Sequence, residues 1–169
     1  MTHQEYYYRL KKLKGKYLHY FIAGFIDGEG SFNVSFSRHP GYKTGWIINT
    51  KFQVYQHERE RDILELIRDV FQAGRIRRKV GSNVLVLSVE SRQVQIEKII
   101  PFFQKYPLAT KQKVFEIWKQ IVQMIWNREH ITNSGYKKIV ELAYEMNRQG
   151  KGRKWSKEEL NKRIKIKSL

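Results

Sequence analysis

Residues 18–31 read Leu18-His19-Tyr20-Phe21-Ile22-Ala23-Gly24-Phe25-Ile26-Asp27-Gly28-Glu29-Gly30-Ser31, and the hydrophobic period changes within them. Leu18, Phe21, Ile22, Phe25 and Ile26 fall at i, i+3, i+4, i+7 and i+8, so the spacing predicts a core-facing helix over 16–27. Gly28-Glu29-Gly30 is expected to stop it. From Ser31 to Arg38 the period is two: Phe32, Val34 and Phe36 share one face, and Ser31, Asn33, Ser35 and Ser37 the other, the pattern of a half-buried strand. Ala23 and Gly24 are small enough for a second helix to approach closely. Asp27 and Glu29 put two acids at the helix end. Taken alone, the small residues could serve only packing and the acids only the turn.

Outward from this segment the same two periods recur. His39-Pro40-Gly41 opens a turn, after which Ile48, Thr50, Phe52 and Val54 alternate with Asn49, Lys51, Gln53 and Tyr55, giving a hairpin. Ile63, Leu64, Leu66, Ile67, Val70 and Phe71 form a second helical stripe, which Gly74 is expected to end as a C-terminal glycine. Arg75, Arg77 and Lys79 alternate with Ile76, Gly81-Ser82-Asn83 turns the chain, and Val84 to Val89 forms a strand apolar on both faces, a second hairpin. Residues 92–103 look helical, Pro107 interrupts, and a long helix is expected over 110–128, with another over 136–147. Gly150 to Lys154 is a basic linker. Ser156 and Glu159 have capping-box spacing for a short last helix. The order αββαββα with C-terminal helices predicts an α+β fold on one antiparallel four-stranded sheet. Three parts are expected: a basic extension over 1–16, a core over 17–128 and a basic helical extension over 129–169.

The chain has 169 residues, with 33 Lys and Arg against 16 Asp and Glu, a formal charge of +17. Folding does not require such an imbalance; it points to a polyanionic partner. No apolar run is long enough to span a bilayer and no terminal segment has signal-peptide anatomy, which favours nucleic acid over a membrane and an intracellular location, in a prokaryotic cytoplasm or an organelle. With no Cys and five scattered His, thiolate zinc sites are excluded and any metal must rest on oxygen ligands. The polar sheet face, with Ser31, Asn33, Ser35, Ser37, Asn49, Lys51, Gln53, Tyr55, Arg75, Arg77 and Lys79, has the donors and acceptors that read base edges, and the major groove admits a β-ribbon.

The run Ile22-Ala23-Gly24-Phe25-Ile26-Asp27-Gly28-Glu29-Gly30 resembles, in register, the LAGLIDADG motif of homing endonucleases, with Glu in place of the second Asp. The resemblance extends over about 17–126 and occurs once, so it implies the single-motif type: a homodimer that cuts both strands of double-stranded DNA at a near-palindrome. It implies a saddle-shaped sheet on DNA, and Glu29 as ligand of a hard divalent cation, Mg²⁺ or else Mn²⁺ or Ca²⁺, helped by the Gly28 carbonyl. Asp27 then steadies the turn, and Phe21, Ala23, Gly24 and Asp27 lie at the dimer interface. Lys51-Phe52-Gln53-Val54-Tyr55-Gln56 resembles the family's second strand, which makes Gln53 a base contact and Gln56 a water-positioning residue. Pro107-Leu108-Ala109-Thr110-Lys111-Gln112-Lys113 resembles its lysine-bearing loop, which makes Lys111, with Lys113 as alternate, the cation beside the scissile phosphate. Lys151, Arg153, Lys154, Lys162, Arg163, Lys165 and Lys167 are read as charge for the DNA backbone. Two rivals share the scaffold, an intron-RNA-binding maturase and a DNA-binding protein that does not cut.

Overall fold

The computed structural model describes residues 8–10, 12–42, 44–146 and 153–162. The start of the basic N-terminal extension, Gly150 and Lys151 of the linker region, and Arg163, Lys165 and Lys167 lie outside the described residues. In chain order the elements are α1 (Gly15–Glu29), β1 (Gly30–Arg38), β2 (Trp46–His57), α2 (Arg61–Phe71), β3 (Arg75–Arg78), β4 (Val84–Val89), α3 (Ile100–Lys105), α4 (Gln112–Trp126), α5 (Asn133–Met146) and α6 (Lys157–Asn161). The strands form one four-stranded sheet in the order β1-β2-β4-β3, with β4 antiparallel to both β2 and β3. This is the α+β class expected from the sequence. Among the described residues no helix is long and apolar enough to cross a membrane.

The chain forms two compact units, one of residues 1–31 and 51–112, the other of residues 32–50 and 113–169. In the first, Phe52 meets Phe71 and Phe103 edge-on, with centroids 5.7 and 5.8 Å apart, and Phe102 packs at 4.8 Å on Phe71. Ile22, Ile26, Val54, Leu64, Ile67, Leu87 and Ile99 are all fully buried. In the second unit, Trp46 and Ile48 join the α4 stripe Ile117, Ile121, Met124 and Ile125 and the α5 residues Tyr136, Ile139 and Val140 in one apolar cluster, closed by Leu160 of α6. The expected capping box opens α6: Ser156 accepts from the Glu159 amide and Glu159 accepts from the Ser156 amide.

Several boundaries differ from expectation for identifiable reasons. Helix α1 does not stop at Gly28 but runs through Glu29, and the Gly30 amide still donates to the Ile26 carbonyl. The strand therefore begins with no intervening loop. That junction requires glycine at 30, since a Cβ there would lie 2.5 Å from Ile26 Cγ2 and 2.6 Å from its carbonyl oxygen. Helix α2 ends on Gln72, which itself adopts the left-handed conformation at φ 47°. Gly74 serves a different purpose: its φ is +103° and a Cβ would come within 2.7 Å of Leu87 Cδ1. The helix expected over 92–103 is a short turn at Arg92–Val94, a wide π-type turn at Gln95–Ile99, then α3. Pro101 lacks the amide that would bond four residues back, and the wider turn sits just before it. Helix α4 begins at Gln112 rather than Thr110, and α5 at Asn133 rather than Tyr136. Strand β3 ends at Arg78, leaving Lys79 in the turn with its amide on the Val84 carbonyl at 2.8 Å.

Gly30→Ala should lower the urea midpoint at unchanged m, at a cost of about 1–3 kcal/mol for forcing a methyl into an occupied space. A midpoint equal to that of the parent would show that the α1–β1 junction can open.

Candidate functional site

The last turn of α1 carries two acids in contrasting surroundings. Asp27 is held from the loop ahead of α4: one carboxylate oxygen accepts from the Thr110 and Lys111 amides at 3.0 and 2.9 Å, the other from the Thr110 amide and hydroxyl, both at 2.9 Å. Partial burial raises its pKa, but these bonds and the nearby Lys111 charge outweigh that, so the carboxyl titrates below its ordinary value of 3.8. The Lys111 ammonium turns back onto the helix, donating to the Asp27 carbonyl and to the Gly28 carbonyl, the latter at 2.7 Å. Cations are favoured at that end by the helix dipole. Glu29, two residues on, is exposed. Among the described residues nothing donates to its carboxylate.

Glu29 and the Gly28 carbonyl are hard oxygen donors, the type a divalent cation such as Mg²⁺ takes. Among the described residues no three His, Cys, Asp or Glu side chains gather closely enough to hold a metal. Glu29 and the Gly28 carbonyl could supply only part of a coordination shell, such as that of a Mg²⁺-type ion that keeps several waters. Asp27 contributes nothing to it, its oxygens being engaged by Thr110 and Lys111.

In the first unit the register settles which side chains share the polar sheet face. Gln53 and Arg75 both pair with Ser88, and Tyr55 and Arg77 both pair with Val86, so two rows cross β2, β4 and β3 on one face. Gln53 donates to Ser88 Oγ at 2.9 Å and accepts from the Tyr55 hydroxyl at 3.0 Å. Lys51 forms an ion pair with Glu90 at 2.9 Å. Gln56 points to the opposite face from Gln53, as its parity requires, and accepts from the His57 amide at 3.1 Å. Arg78, on the edge strand, pairs with Glu58. Thr110, Ser88 and Glu90 are the participants that sequence reasoning missed. Ser88 was legible by parity along β4 but was masked by its apolar neighbours.

In the second unit Ser35 and Ser37 are exposed on β1 while Asn33 is half-buried, and Asn49 donates to Ser37 Oγ at 3.3 Å. Of the tail residues read as backbone-contacting charge, Arg153 is engaged within the chain, where it donates to the Tyr144 carbonyl at 2.7 Å and stacks 3.9 Å from that ring.

The expected dimer-interface residues divide. Ala23 is only 2% exposed and turns into the chain's own core, so it offers no surface to a partner. Periodicity could not reveal this, because Ala adds nothing to a hydrophobic stripe. Gly24 and Gly28 lie exposed one turn apart with open space where a Cβ would be, beside the half-buried Phe21 and Phe25 rings, whose centroids are 6.4 Å apart.

The chain belongs to the LAGLIDADG endonuclease family, whose sequence profile matches residues 22–122. Over 115 residues the chain is 38% identical to the DNA endonuclease I-CeuI of Chlamydomonas moewusii, covering 65% of this chain and 53% of that protein. The chain spans 53% of that relative and 28% and 24% of two probable intron-encoded endonucleases of Neurospora crassa. Among solved structures, the archaeal intron-encoded homing endonuclease I-Vdi141I complexed with DNA superimposes with a TM-score of 0.83 at 29% identity, over 89% of this chain and 96% of that one. I-CeuI complexed with DNA gives 0.82 at 28% identity, over 96% and 86%. Its identity is lower than in the sequence match because the superposition takes in more of the chain.

Asp27→Asn should destabilise the protein by about 1–3 kcal/mol at neutral pH, since an amide cannot accept all of these donors. The folded pKa lies below 3.8, so the carboxylate's contribution is complete above that value and is lost as pH falls through the folded pKa. Denaturant midpoints of parent and variant should therefore converge in acid. A gap independent of pH would assign the effect to packing.

Proposed function

We propose that this chain is a site-specific double-strand DNA endonuclease of the homing type, which hydrolyses phosphodiester bonds as a metal-dependent homodimer in a DNA-containing compartment of the cell. The observation that carries this reading is the end of α1, where Glu29 stands exposed and, among the described residues, uncommitted, while Asp27 is tied to the Thr110–Lys111 loop. A DNA-binding protein that does not cut, or an RNA-binding maturase, has no need of an uncommitted acid there.

Two phosphodiester bonds on antiparallel strands must be cut, and each chain has one Glu29. A second copy packed against the exposed Gly24 and Gly28 of α1, with Phe21 and Phe25 alongside, would bring two such acids together. The target should then be a near-palindrome with half-sites about one helical turn apart. Glu29 and the Gly28 carbonyl would hold the divalent cation, which when bound supplies positive charge to phosphate oxygens and makes water more acidic. Lys111, released from the α1 carbonyls, would place its ammonium on the charge that develops at the phosphate. Gln56 would orient the attacking water through its amide. On the sheet, Gln53, Arg75 and Arg77 would face base edges with Ser31, Asn33, Ser35, Ser37, Asn49, Lys51, Tyr55 and Lys79, while Lys154 and Lys162 would meet the backbone.

Glu29→Gln should abolish cleavage of a mapped target in Mg²⁺ while keeping DNA affinity within roughly tenfold, because it removes one charge from an extensive interface. Near-normal cutting would place the metal elsewhere. Lys111→Ala and Gln56→Ala should lower single-turnover rates at saturating protein more than affinity; equal losses would make them ordinary DNA contacts. Gly24→Leu should abolish the dimer and cleavage together, as read by sedimentation and by plasmid linearisation. A fully active dimer of that variant would place the interface on another surface.

A further inference from the structure

A surface built only to hold phosphates would be uniformly cationic, yet the polar face of the first unit carries a carboxylate among its strongest cations. Glu90 follows β4 directly, its side chain is 59% exposed, and it forms the 2.9 Å pair with Lys51. Its carboxyl titrates below the ordinary range, first because of the Lys51 hydrogen bond and, with burial opposing, through the charges of Lys51, Arg77 and Arg75. Glu90, Arg75, Arg77 and Ser88 line one cavity of about 370 Å³ with Gly74, Val89, Ser91 and Val94, so the acid shares a concavity with these cations where β3 begins and β4 ends. A charged carboxylate is repelled by phosphate, and its natural partners in DNA are the exocyclic amines exposed in the major groove. Cytosine N4 is the amine that a carboxylate reads, and Lys or Arg reads guanine O6 and N7.

We infer that Glu90 is a specificity-determining residue that accepts a hydrogen bond from the exocyclic amine of a cytosine in the target half-site, while the adjoining cations Lys51 and Arg75 take guanine edges beside it. The inference rests on the proposed DNA-binding function. Its counterpart is a residue that touches no DNA and only holds Lys51 and Arg75 in place. The Gln and Ala variants separate the two. Gln keeps an acceptor and adds a donor, the combination that reads adenine N6 and N7. A contacting Glu90 exchanged for Gln should therefore move the preference at one position from cytosine to adenine, and a positioning residue should not.

The test is equilibrium selection of the full-length protein, in Ca²⁺ or without metal, on a duplex library randomised across the half-site, for parent, Glu90→Gln, Glu90→Ala and Lys51→Ala. In Glu90→Ala, cytosine discrimination at one position should fall by roughly 5- to 150-fold, as for one lost base contact. Preference there should turn to adenine in Glu90→Gln, and affinity for unrelated duplexes should rise because a repulsive charge has gone. Unchanged profiles in both Glu90 variants, or a loss in both confined to the guanine position that Lys51→Ala also relaxes, would overturn the inference while leaving DNA binding intact. A parent protein without sequence preference would overturn the inference and the proposed function together.

Discussion

The clasp between Asp27 and the loop ahead of α4 decides how the end of the motif helix is used. A carboxylate in the last turn of a helix is opposed by the dipole, so Asp27 stands where a negative charge is least welcome. Two backbone amides and a hydroxyl from the loop compensate, and the Lys111 ammonium covers the helix's terminal carbonyls. Helix α4 starts at Gln112, directly after the two residues whose amides bond Asp27. The same bonds fix the position of α1's end relative to that loop. Through the tight Gly30 junction they also fix where β1 begins.

This clasp separates two acids that look equivalent in the sequence. Asp27 is saturated with donors and serves structure, whereas Glu29 is left without any among the described residues. Lys111 illustrates a related economy. Its ammonium rests on the Gly28 carbonyl, so the chain neutralises that end of the helix with its own charge.

The sheet face of the first unit follows a different logic. Crossing β2, β4 and β3, the rows Gln53–Ser88–Arg75 and Tyr55–Val86–Arg77 mix amide, hydroxyl, guanidinium and apolar groups, and Glu90 adds an acid beside Lys51. Net charge draws a polyanion without regard to sequence, but a mosaic of donors and acceptors, with one charge reversed, can reject as well as attract. The hydrogen bonds made within the mosaic, such as Gln53 to Ser88, hold side chains in place.

The periods of the sequence were enough to determine the fold class, a helix-to-strand switch between Asp27 and Ser31, the inward faces of β1 and β2 and the two acids at the end of α1. Each of these is a local property, written in which neighbours are apolar. Composition likewise pointed to a polyanionic partner, because excess charge needs no geometry to be counted. The family resemblance already gave Asp27 to the turn, but only tertiary structure supplied the donors that hold it, since they come from residues 83 and 84 positions away. Tertiary structure also decided that Ala23 turns inward, that Gln72 rather than Gly74 ends α2, and that Glu90 joins the cationic face. Those outcomes depend on what stands opposite a residue in space, and a one-dimensional pattern of hydrophobicity holds no record of that.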